Sequence, residues 1–65
     1  MFIPKKSRIG SRVRLICDVE VLKGTFTKGH ELTVTENAGI RGWNLIDDNG
    51  EVLNEVFSDK FEIIG

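Results

Sequence analysis

Sixty-five residues make at most one domain, and a chain this short buries only about 60% of the surface it exposes when unfolded. Cys17 is the sole cysteine and His30 the sole histidine, which excludes an intrachain disulfide and a structural zinc site and points to a reducing, cytoplasmic setting. No stretch nears the ~20 apolar residues of a membrane span, and Met1 to Arg8 lacks the apolar core of a signal peptide, so the chain reads as a complete small cytoplasmic gene product.

The net charge of -1 is unevenly spread. Up to Cys17 the chain carries Lys5, Lys6, Arg8, Arg12 and Arg14 and no acid; from Gly42 onward Asp47, Asp48, Glu51, Glu55, Asp59 and Glu62 face Lys60 alone. Residues 1–9 therefore form a basic N-terminal segment ahead of a domain spanning residues 10–65. Such asymmetry marks either an interaction surface or edge strands kept soluble by charge.

Val13, Leu15, Cys17, Val19 and Val21 recur at a spacing of two, with Arg12, Arg14, Asp18 and Glu20 between them. This is the pattern of a half-buried strand, and it turns Cys17 inward as a small hydrophobe. Lys23-Gly24 breaks the run, and Thr25-Phe26-Thr27 leads to a tight turn at Lys28-Gly29. Leu32 and Val34 then alternate with Glu31, Thr33 and Thr35. Asn37-Ala38-Gly39 is a turn, Gly42 to Ile46 a third strand, and Asp47-Asp48-Asn49-Gly50 a hairpin turn. Glu51 to Phe57 is a fourth strand with Val52 and Val56 on one face. Ser58-Asp59-Lys60 is helix-turn-like, and Phe61 to Ile64 is a last short strand. The fold class is all-β, a five-stranded small barrel, closed or nearly so. Its predicted core is Val13, Leu15, Cys17, Leu32, Val34, Val52, Val56 and Ile63.

The stretch from Phe26 through Lys28-Gly29-His30 to Val34 resembles the diverging turn of Src-homology-3-like (SH3-like) domains. Trp43 falls where those domains place the tryptophan of their peptide groove. Phe57-Ser58-Asp59-Lys60-Phe61 resembles their short 3₁₀ turn and final strand, with Phe61 in the place of the groove tyrosine. The resemblance covers residues 10–64 and implies an SH3-like barrel that binds a protein partner. The chain departs from the polyproline-binding members: it has no tyrosine, and Ser58 stands where they carry a proline. Recognition of polyproline ligands, which needs parallel aromatic ridges, is not expected.

No catalytic constellation, cofactor site or metal site is expected. His30 reads as a turn residue and Asp47-Asp48 as turn formers. Trp43 reads either as core or as an exposed anchor. As an anchor it would form, with Phe61 and Phe26, an apolar patch edged by Asp18 and Glu20 that favours a basic partner segment. On this reading the chain is a non-enzymatic binding module, an accessory or inhibitory subunit of a larger complex. The alternative is a nucleic-acid-binding barrel using Lys5, Lys6, Arg8, Arg12, Arg14 and Arg41. A sequence pI of about 5.7 weighs against that alternative.

Overall fold

A computed structural model describes residues 9–65. Alternation around Val13 and Leu15 forms β1 (Arg12–Leu15), with both apolar side chains buried and Arg14 exposed. The strand does not run on to Val21. The chain bends at residues 16–18, where the Asp18 carboxylate accepts the Lys28 N–H at 2.8 Å and fastens the two ends of the segment together. A short hairpin follows, β2 (Val19–Val21) and β3 (Gly24–Phe26), paired from Val19 against Phe26 to Val21 against Gly24. Cys17 thus sits half-buried in a bend and not in the core, because the alternation that pointed it inward stops two residues before it.

The tight turn at Lys28-Gly29 forms as expected and leads into β4 (Glu31–Asn37). A 3₁₀ turn at Gly39–Arg41 then precedes β5 (Trp43–Asp47), and β6 (Val52–Val56) comes next. A second 3₁₀ turn at Ser58–Lys60 leads to β7 (Phe61–Ile63). Five strands pair antiparallel in the order β6-β5-β4-β1-β7, and β2-β3 forms a separate two-stranded sheet. The molecule is all-β, but its sheets do not close into a barrel. Closure requires the two end strands to share a ladder, and among the described residues β6 and β7 each pair on one side only.

The core is Val13, Leu15, Leu32, Val34, Trp43, Leu45, Leu53, Val56 and Phe61, with Val19 and Phe26 packed against it. Two further predicted core residues, like Cys17, lie outside it. Val52 is 55% exposed, and Leu53 is buried in its stead. The cause is a bulge. The β5–β6 register shifts between Trp43 and Leu45, and Glu55 takes a left-handed φ of 59° with its N–H held by the Asn44 side chain at 3.0 Å. One inserted residue changes the inward spacing from two to three, so Leu53 and Val56 both face the core. Ile63 shares a face with its cross-strand partner Val13, yet it is 47% exposed because β7 has no neighbour on its outer side.

Gly42 fixes the corner before β5. Its φ is +105°, and a Cβ there would press on the Val56 carbonyl, 2.6 Å from its carbon. Only glycine fits this approach of the two chain segments.

Candidate functional site

The patch built on Trp43 and Phe61 does not form. Each is only 6% exposed and belongs to the core, because the faces that carry Leu45 and Leu15 are the covered ones. Trp43 is thus the packing tryptophan of the two readings offered by its neighbours. Phe26, the third member, is half-buried and does reach a surface feature, a groove between the β2–β3 hairpin and the turn that opens β6.

The groove consists of two adjoining clefts. One, about 280 Å³, is lined by the hairpin from Val21 to Thr27 together with His30 and Glu51. The other, about 380 Å³, lies between Val21, Leu22, Phe26 and the segment Gly50 to Asn54. Val21, Lys23, Phe26 and Glu51 line both. Leu22 at the hairpin tip is wholly exposed, and Val52 and Val21 are 55% and 36% exposed. Apolar side chains from both walls thus converge on one channel, where isolated exposed hydrophobics would be unremarkable. Glu20 and Asp18 are exposed on the same hairpin and at its base, and Glu20 lines a shallow depression beside Leu22 and Thr25.

Asp47 lines neither cleft but holds two residues that do, His30 and Glu51. Its carboxylate is nearly covered and accepts three N–H groups: from His30 Nε2 at 2.9 Å, from Asn49 at 2.9 Å and from Glu51 at 2.8 Å. The His30 hydrogen bond, opposed by burial and helped by the Glu51 and Asn49 amides, holds the carboxyl below the usual aspartate range. The turn itself is closed by backbone bonds, Asp47 N–H to Glu51 and Gly50 N–H to Asp47, with Gly50 at φ +84°. On the other side the His30 ring meets Phe26 edge-on, with centroids 5.4 Å apart. One aspartate thereby ties the β5–β6 turn, through His30, to the hairpin wall. Asp47 was legible as a turn former, but its bond to His30 was not, because seventeen residues separate them in the chain.

A histidine oriented by a buried carboxylate supplies two of the three members of a nucleophilic triad. Among the described residues no hydroxyl or thiol is hydrogen-bonded to the ring, and no group of His, Cys, Asp or Glu is placed to hold a metal ion. No helix there is long and apolar enough to cross a membrane.

The basic residues of β1 are committed elsewhere. Arg12 makes a two-pronged contact with Asp48 at 2.8 and 2.9 Å and also reaches Glu31. Arg14 donates twice to one oxygen of Glu62, at 2.8 and 3.1 Å. Arg12 accordingly holds the Asp48 carboxyl below its ordinary range. Arg41 is well exposed and faces Glu55 at 3.9 Å. Lys5, Lys6 and Arg8 lie outside the described residues. The residues proposed for phosphate contact are thus not gathered on one free surface among those described. In comparisons with known proteins, no family model, no curated protein and no solved structure matches this chain.

Proposed function

We propose that this chain is a non-enzymatic, cytoplasmic protein-binding module with an SH3-like, unclosed arrangement of strands, and that its partner docks in the groove between the β2–β3 hairpin and β6. The SH3-like reading is supported by the tight turn at Lys28-Gly29 and by the 3₁₀ turn at Ser58–Lys60 ahead of the final strand. The observation that carries the functional reading is the convergence of Val21, Leu22, Phe26 and Val52 from two walls on one channel. Water-exposed apolar side chains cost little stability when left uncovered, yet they repay burial at about 25 cal/mol per Å². Standard polyproline recognition is not part of the proposal, since Trp43 and Phe61 are core residues. The ion pairs of Arg12 and Arg14 favour a protein partner over nucleic acid, because those cations already meet carboxylates. A small module of this kind suits an accessory subunit of a larger complex.

The test is capture of a partner from lysate of the source cells by the tagged chain, compared with Leu22→Asp and Val52→Asp. Both side chains are exposed, so both variants should keep the wild-type circular dichroism spectrum and melting temperature. Each should weaken capture by about tenfold or more, the cost of a charge in the centre of an interface. Undiminished capture by both folded variants would refute this placement of the site.

A further inference from the structure

The groove is also a gap between two sheets. Among the described residues β6 ends the order β6-β5-β4-β1-β7 and so has a ladder on one side only, while the hairpin strands pair only with each other. Proteins commonly blunt such edges with a bulge, a proline or charge. Here the bulge falls at Asn54 and Glu55, toward the far end of β6, and Val52 and Leu53 beside the groove keep the regular register with β5. A free strand edge beside an apolar wall is what an extended peptide needs. Main-chain hydrogen bonds supply affinity there, and alternate side chains fill the clefts.

Charge selects the kind of segment. Glu51 lines both clefts and Glu20 stands beside them, and among the described residues neither joins an ion pair. Among the described residues Lys23 is the one lysine or arginine lining the groove, so two carboxylates stand in and beside it against a single ammonium.

We infer that the groove takes an extended partner segment of alternating apolar and basic residues, added as a strand to the free edge of β6. Its apolar side chains lie on Val21, Phe26 and Val52, and its cations point to Glu20 and Glu51. This rests on the groove being the docking site proposed above.

The probe is the fluorescein-labelled hexapeptide Lys-Val-Lys-Val-Lys-Val, followed by anisotropy and by amide shifts of the ¹⁵N-labelled chain. Binding should move the amides of Val52, Leu53 and Asn54 and leave those of β7 in place. N-methylation of alternate peptide amides should weaken binding at least tenfold, because it removes main-chain donors and keeps charge and side chains. The Glu-Val counterpart should bind at least tenfold more weakly than Lys-Val, and Glu20→Lys with Glu51→Lys should reverse that order. Equal binding of the N-methylated peptide would overturn strand addition while leaving the groove as a docking site. Failure of the hexapeptide to bind, with partner capture still lost in Leu22→Asp, would likewise overturn the inference and spare the site. Failure of both would remove the site itself.

Discussion

The bulge in β6 makes a sharp prediction, because it exchanges the roles of two neighbouring residues. Leu53 is 1% exposed and Val52 is 55% exposed. Truncating a buried leucine to alanine costs about 2–5 kcal/mol, from lost transfer energy and the cavity left behind. A domain of this size has a total stability of roughly 3–10 kcal/mol at 0.05–0.15 kcal/mol per residue. Leu53→Ala should therefore remove a large part of the stability. At roughly 4–8 °C per kcal/mol for a small domain, its melting temperature should fall by at least about 8 °C. Val52→Ala loses a side chain that is mostly in water and should stay within about 0.5 kcal/mol of wild type. Thermal melts followed by circular dichroism, repeated in urea, separate the two. A Val52→Ala melt lower than that of Leu53→Ala would mean that β6 follows plain alternation and that no residue is inserted at its end.

Gly42→Ala should destabilise by at least about 2 kcal/mol, since it adds left-handed strain to a Cβ pressed on the Val56 carbonyl, and a wild-type urea midpoint would refute that close approach. Glu55→Gly should be neutral or stabilising by up to about 1 kcal/mol, because glycine carries no penalty at the left-handed φ of 59°; a clear loss in the urea midpoint would count against that conformation. Asp47 is held below its ordinary pKa, so its contribution to stability is present above the unfolded value near pH 4 and is lost as pH falls through the lower folded value. Asp47→Asn should therefore flatten the acid limb of a stability-against-pH curve, with the remaining slope belonging to Asp48; an unchanged limb would refute the role given to the His30 bond.

Much of the fold was legible in the sequence because short-range chemistry specifies it. Alternation around Val13, Leu15, Leu32 and Val34 marked the inward face of two strands, and all four are buried. The turn at Asp47 to Gly50 and the 3₁₀ turn at Ser58–Lys60 also stood where their residues placed them. The failures share one physical origin, which is that a period of two holds only while backbone geometry is uniform. Alternation runs from Val13 to Val21 in the sequence with Ile16 as the one exception, but the Asp18–Lys28 bond turns the chain at residues 16–18 and sets Val19 to Phe26 apart as a hairpin. Alternation likewise chose Val52 over Leu53, because nothing local announces a left-handed glutamate. Trp43 could face either way from its neighbours alone. Its burial is set by sheet partners, Asn37 on β4 and Val56 on β6, that belong to other strands. Two of the groove's own residues, Leu22 and Val52, carry no binding signal in the sequence. Their significance lies in which walls they share, and the sheet order decides that.

The surface charges bear on where this molecule can act. The cations of β1 are spent on holding strands and turns together: Arg12 joins β1 to the β5–β6 turn through Asp48, and Arg14 joins β1 to β7 through Glu62. Exposed pairs of this kind contribute little stability, but they do remove those guanidinium groups from service toward an anionic partner. The buried carboxylate of Asp47 plays the corresponding part at the groove, fixing the β5–β6 turn and, through His30, meeting the hairpin wall at Phe26. The channel itself is left with apolar surface, the carboxylate of Glu51 and the ammonium of Lys23, with Glu20 beside it. Among the described residues, the gap between β6 and the hairpin is the place where an unpaired strand edge, exposed apolar side chains and two carboxylates meet.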